Sequence, residues 1–311
     1  MMAIYAPKTR GTPLEANMHY AILAILSFAL QNLCCKEYGR RFEDRIQLQA
    51  AMILVSTLVV AGIMLALGGF KPLMSGEWWI AAAFGFWFVV TLASMTLAMN
   101  YGHMGITLLI QNSSLVVPTL YSALVWHERF TALKGAGTAC ILVMLALSAL
   151  DGGDTTDEAA RRRWNRRLWA IFTALSFIGD SVLGILQGSM AMGSTDSVTF
   201  TLWTSLFSAA FAAILLAASA AGRRGSLSAL RDRPRAFLVC CAGIGAGTAG
   251  GNAFSIAALT ALPGIVLFPL RQGGLVLLLW FVGALVYHEK VNRRGWLMLA
   301  FGLAGILLLS L

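Results

Sequence analysis

Ten times along this chain the sequence turns apolar for about 18–25 residues. That is the length a helix rising 1.5 Å per residue needs to cross a hydrocarbon core about 30 Å thick. The runs lie at about 18–35, 46–70, 78–100, 104–126, 133–150, 168–191, 197–220, 236–259, 263–287 and 295–311. One or two such runs fit the buried helices of a soluble protein; ten do not. Backbone polar groups in lipid must be satisfied within their own segment, so each run reads as a helix. Period-two alternation, the mark of membrane β-barrel strands, is absent. The expected fold class is an all-α membrane protein with ten transmembrane helices, multi-pass in the cell (plasma) membrane.

Composition removes the soluble alternatives. Apolar residues make up 58% of the chain and charged residues 12%, against about a quarter charged in soluble domains. The net charge of +9 comes from arginines and lysines in short loops between runs, where they set orientation rather than bind phosphates, so no nucleic-acid partner is expected. Cys34, Cys35, Cys140, Cys240 and Cys241 lie in or at the ends of apolar runs without zinc-ligand spacing. They read as reduced packing residues, and no metal or cofactor is expected. The first run has no small-residue cleavage site after it and nine runs follow, so it reads as a span rather than a signal peptide.

The chain also repeats itself. Residues 123–129 read Ala-Leu-Val-Trp-His-Glu-Arg, and residues 284–290 read Ala-Leu-Val-Tyr-His-Glu-Lys, 161 positions later. Gln111 and Gln272 share that offset, and Leu26-Ser27-Phe28 is echoed by Leu175-Ser176-Phe177. Five spans per half is an odd number, so the second half enters the membrane from the opposite side. The expected organisation is a polar tail at 1–17, a five-helix repeat at 18–150, a charged linker at 151–167 and an inverted five-helix repeat at 168–311. A pseudo-two-fold axis would lie in the membrane plane with the site where the repeats meet, and rocking one half against the other would expose it alternately.

The five-plus-five duplication, a Glu closing the fourth span of each half (Glu128, Glu289) and Lys36 ending the first span resemble the drug/metabolite transporter superfamily, in particular its ten-span EamA-type members. In that family the Glu follows a Gly; here His127 and His288 stand in its place. The resemblance implies secondary transport of small organic solutes, often export, and cytoplasmic termini. The charge count points the other way. Five basic residues lie on the side of the termini and 17 on the side of the linker, so the positive-inside rule puts the linker in the cytoplasm.

Among 14 acidic and 23 basic residues, Asp180 and Arg271 alone lie well inside a span. A charge at the bilayer centre costs about 2.5–3.5 kcal/mol on insertion scales, so each needs a reason. Their estimated depths, roughly 12–14 Å from the same side at 1.5 Å per residue, let them meet as a structural ion pair. Alternatively both face a cavity, Asp180 toward an ammonium or proton and Arg271 toward a carboxylate. Gln31 and Asn32 stand at the repeat position of Asp180 and Ser181, and Gln111 near that of Arg271 and Gln272. Asn100, Asn252 and these residues are candidate substrate contacts in a cavity lined mainly by spans 1, 3, 4, 6, 8 and 9. Trp87, Trp203 and Trp280 lie deep enough to hold an organic cation by cation–π contact. Each polar residue also has an ordinary reading as a helix–helix hydrogen bond. His127, Glu128, His288 and Glu289 read as caps of the following helices, or as a gate or proton relay.

No nucleotide-binding motif, HExxH or Asp-rich motif occurs. A secondary transporter is expected rather than an enzyme, with a membrane-embedded enzyme as the rival class. The Asp–Arg combination favours an amino-acid-like zwitterion, and the deep tryptophans an organic cation. The alternative is uptake of a quaternary ammonium or other metabolite, coupled to protons or sodium.

Overall fold

The computed structural model describes residues 14–42, 46–68, 70–73, 76–101, 107, 110–129, 131–151, 166–193, 195–220, 233–286 and 293–310. Ten α-helices are present among them: α1 (Leu14–Arg41), α2 (Ile46–Gly68), α3 (Trp78–Tyr101), α4 (Val116–Leu124, behind a 3-10 turn at Ser113–Leu115), α5 (Ala132–Asp151), α6 (Arg166–Ala191), α7 (Ser197–Ala220), α8 (Pro234–Leu259), α9 (Gly264–Val286) and α10 (Arg293–Ser310). No strand occurs among the described residues. Seven helices, α1–α3 and α6–α9, are long and apolar enough to cross a membrane; the apolar stretches in α5 and α10 are shorter. Ten helices are therefore present, and seven of them have the full crossing length expected of a span.

Duplication is visible in which helices touch. The most extensive pairs are α1 with α8, α2 with α7, α3 with α6, and α5 with α10. Exchanging each helix for its counterpart five places on converts α1–α8 into α6–α3 and α2–α8 into α7–α3, and leaves α2–α7, α4–α9 and α5–α10 unchanged. All of these contacts exist. The self-paired helices are antiparallel. Gln47 Nε2 donates to Ser219 O at 2.6 Å at one end of α2–α7, while Gly68 lies against Val198 at the other. Gln272 Nε2 donates to Asn112 Oδ1 at 2.6 Å on one side of α4–α9, while Glu128 meets Gly264 on the other. Exchange therefore reverses helix direction, which puts the axis in the membrane plane.

One expectation changes here. These large contacts all join one half to the other, so the halves interlace rather than standing as two bodies that rock. The symmetry-related units are mixed bundles, α1–α2–α8 and α6–α7–α3, each holding helices from both halves.

Small residues let the bundles close. A Cβ on Gly247 of α8 would lie 2.6 Å from Ser27 O and Gln31 N of α1, so α1 and α8 touch backbone to backbone. Such close approach is how helices associate where apolar burial gives little drive. Larger side chains seal the end where α1 turns into α2. Tyr38, Phe42 and Phe237 form a buried aromatic cluster, and Tyr38 donates to Leu48 O at 2.9 Å. Trp79 and Trp296 are exposed at helix ends, as interfacial anchors are.

Candidate functional site

Polar side chains inside the bundle gather in two places, a belt of separate hydrogen-bonded groups and a small chamber. The belt is built on α4, α6, α8 and α9. Arg271 on α9 is partly buried. Its guanidinium donates to Gln187 Oε1 at 2.9 Å and Ser255 Oγ at 3.4 Å, and stacks over Phe28 at 5.3 Å. Gln187 Nε2 donates to Asn252 Oδ1 at 2.9 Å. Two turns back along α6, Ser114 of the 3-10 turn donates to Asp180 Oδ2 at 2.5 Å. Ser181 bonds the carbonyl of Phe177 at 2.8 Å.

Of the two readings of Asp180 and Arg271, the ion pair is not made. Among the described residues no nitrogen–oxygen approach within 4.0 Å joins them. Helix register is the cause. α9 begins at Gly264, seven residues before Arg271, whereas α6 continues eleven residues beyond Asp180. By this count Arg271 starts roughly 6 Å nearer that membrane face than Asp180 at 1.5 Å per residue, and its guanidinium reaches Gln187 instead. Gln187 follows Asp180 by seven residues and so shares its helix face.

The chamber lies between α1, α2, α3, α7 and α8. A cavity of about 30 Å³ is lined by Gln31, Ser56, Thr57 and Thr248 among apolar residues. A smaller one of about 10 Å³ adjoins it through Thr57, Val60, Phe88 and Thr248, and is lined also by Thr201, Thr204 and Asn252. Asn252 joins chamber to belt. α2 and α7, which lie outside the expected lining by spans 1, 3, 4, 6, 8 and 9, contribute most of the chamber's hydroxyls.

The other expected contacts divide. Gln272 pairs with Asn112 between α9 and α4. Gln111 keeps its buried Oε1 without a hydrogen bond among the described residues. Asn32 is exposed and donates to Phe28 O in its own helix at 2.8 Å. Trp87 packs on Gly179 of α6. Trp203 stands near the end of α7, donating to Lys71 O at 2.8 Å within a cluster of Phe70, Trp78 and Phe207. Trp280 packs against Phe281 and Trp296 beside α10. Asn100 lies one residue before the end of α3 with its side chain outside the described residues, and His288 and Glu289 lie outside them altogether.

Glu128 is a cap, but of a different helix. Its two carboxylate oxygens accept the N–H groups of Gly264 and Ile265, both at 3.0 Å. It therefore closes α9, the repeat counterpart of its own α4, rather than the following α5. A carboxylate there satisfies two orphan donors and meets the positive end of the helix dipole. His127, exposed before it, has φ 51°. This is the left-handed region that favours glycine.

Sequence reading passed over Gln187 and the chamber hydroxyls. A signal existed: Thr201, Thr204, Ser205 and Ser208 recur at three- and four-residue spacing on one face of an otherwise apolar α7. Among the described residues no group of His, Cys, Asp and Glu is arranged to hold a metal ion.

Residues 17–150 match the EamA-like transporter family. A solved structure described as "Crystal structure of protein" is similar with a TM-score of 0.69 at 13% identity, covering 94% of this chain and 96% of that one. At that identity the likeness concerns the fold alone. No curated protein matches the chain. The family match supports the resemblance to the drug/metabolite transporter superfamily. Together with the apolar helices it makes this a multi-pass protein of the cell membrane, similar to transporters of that type.

Proposed function

We propose that the chain is a secondary transporter that moves an amino-acid-like zwitterion across the membrane, in the direction of export, by alternating access. The observation that carries this reading is the separation of Asp180 from Arg271. Two half-buried charges of opposite sign lie inside the bundle without forming an ion pair, and a charge kept within a bilayer calls for a functional reason. A solute with an ammonium at one end and a carboxylate at the other complements both. The guanidinium fork suits a carboxylate, and Asp180 suits an ammonium or proton.

An organic cation has less support. Trp203 and Trp280 are occupied by aromatic neighbours away from the belt. The transporter reading is also preferred to an enzyme, because the family model that residues 17–150 match is one of transporters.

The test is thermal unfolding of purified protein against individual amino acids and quaternary amines, since a ligand stabilises the state it binds. Neutral amino acids should raise the Tm of the wild type and leave that of Arg271→Gln unmoved. Stabilisation by quaternary amines alone would refute the zwitterion.

A further inference from the structure

We infer that Gln187 and Asn252 are positioning residues that aim Arg271, and that the edge of the guanidinium they leave free is a subsite for the two oxygens of a planar carboxylate. This deepens the transport reading and rests on it for the solute that binds; the subsite itself stands on the contacts. A guanidinium carries five N–H donors in one rigid plane and accepts nothing. The hydrogen bonds that Arg271 makes among the described residues both leave from one terminal nitrogen, Nη1, to Gln187 Oε1 at 2.9 Å and to Ser255 Oγ at 3.4 Å. Those two bonds use both protons of Nη1.

Nε and Nη2 make no hydrogen bond among the described residues. Together they form one side of the fork, whose parallel N–H bonds match the two oxygens of a carboxylate. Phe28 lies over a face of the group at 5.3 Å, so an anion approaches in the plane, at that free edge. Arg271 is only partly buried, although it lies inside α9.

The anchors are neutral, and this decides what the charge is free to do. An amide holds the guanidinium without cancelling its charge, whereas a carboxylate at the same place would meet its demand for an anion from within the protein. An amide can also face the wrong way. Turned over, Gln187 would set its NH2 group against a partner that only donates. Asn252 prevents this. Its Oδ1 accepts from Gln187 Nε2 at 2.9 Å, which leaves Oε1 as the end that meets Arg271. Gln187 and Asn252 are only 4% and 8% exposed, so water has little access to replace these bonds. One orientation is thus passed from α8 through α6 to α9.

The experiment uses propionate, a carboxylate without an ammonium, to probe this subsite alone. Tm of the detergent-purified protein is measured in sodium propionate and sodium chloride at equal ionic strength, then titrated with propionate. Wild-type Tm should be higher in propionate, since a ligand stabilises the state it binds. Gln187→Glu sets a carboxylate on Arg271 permanently. It should match or exceed the wild-type Tm in chloride and show no rise in propionate. Arg271→Lys keeps the charge but loses the fork, and should lose the rise as well. Asn252→Ala frees the Gln187 amide to turn and should raise the half-maximal propionate concentration about tenfold, the scale of one hydrogen bond to a charged group. Asn252→Asp keeps the acceptor and should hold that concentration near the wild-type value. Should Asn252→Ala fold poorly, Gln187→Glu and Arg271→Lys still decide. Equal wild-type Tm in the two salts, or a full propionate response in folded Gln187→Glu, would overturn the subsite. An Asn252→Ala protein with lower Tm in both salts and an unchanged half-maximal concentration would overturn the aiming. Propionate binding with the expected losses, in a protein that exchanges no amino acid, would sink the transport reading and leave the aimed guanidinium standing.

Discussion

Arg271 donates to Gln187 rather than to Asp180, although both lie on one face of α6, two turns apart. The two intramembrane charges are therefore held by neutral partners, Arg271 by an amide and Asp180 by the Ser114 hydroxyl. Asp180→Asn breaks no ion pair, so the variant should fold with a Tm near that of the wild type. Gln187→Leu removes a hydrogen bond to a charged donor, worth about 1.5–3 kcal/mol, and should lower stability by that order. Thermal unfolding of the two variants distinguishes this from a structural pair, in which Asp180→Asn would be the damaging change and Arg271→Gln would repair it.

Glu128 joins the halves through the first turn of α9. Glu128→Ala leaves the N–H groups of Gly264 and Ile265 without their acceptor and should cost about 1–2 kcal/mol. Glu128→Gln keeps an acceptor but loses the charge facing the helix dipole and should cost about 0.3–1 kcal/mol. Denaturation in mild detergent checks the order. Equal stability in all three proteins would remove the cap from the list of things that hold α4 to α9.

His127 occupies a left-handed backbone position. Glycine adopts it without a Cβ penalty, so His127→Gly should be neutral or more stable by up to about 1 kcal/mol, whereas a β-branched His127→Val should lose about 1–2 kcal/mol. A valine variant as stable as the glycine variant would show that the turn relaxes.

Asp196, in the loop before α7, accepts the Thr199 N–H at 3.0 Å and the Thr199 hydroxyl at 2.9 Å, with Lys71 at 3.9 Å. Partial burial pushes its carboxyl up, but the Thr199 bonds and the lysine charge outweigh it and hold the group below its ordinary 3.8. A folded value lower than the unfolded one gives stability that is present above the unfolded pKa and fades as pH falls through the folded one. The wild-type advantage in Tm over Asp196→Ala should hold steady from pH 7 to about pH 5 and shrink below about pH 4. An advantage that persisted unchanged at pH 3 would separate the cap from the carboxylate's charge.

Much of this architecture was legible because lipid leaves a chain few choices. Run lengths gave the helices, and the odd number of runs per half, with the echo of Glu128 in Glu289, gave the inversion. Interlacing of the halves was not legible, because apolar spans carry no label for their neighbours; it rests on local fits such as Gly247 against Ser27 and Gln31. At the site, Asp180 and Arg271 stood out by charge alone. Their register did not, since estimating depth by counting residues carries an error of several residues at each helix end, and here that error decides between contact and separation. Gln187 was hidden by its neutrality: an amide near a helix end looks ordinary until Arg271 is seen to choose it.

Solute counterflow in proteoliposomes, with labelled neutral amino acids and Asp180→Asn beside the wild type, bears on the site and the function together. Wild-type protein should exchange label across the membrane, and folded Asp180→Asn should do so at least tenfold more slowly, a loss of about 1.4 kcal/mol or more in the rate-limiting step. Folded Asp180→Asn that exchanges label at the wild-type rate would show that the intramembrane carboxylate takes no part in transport.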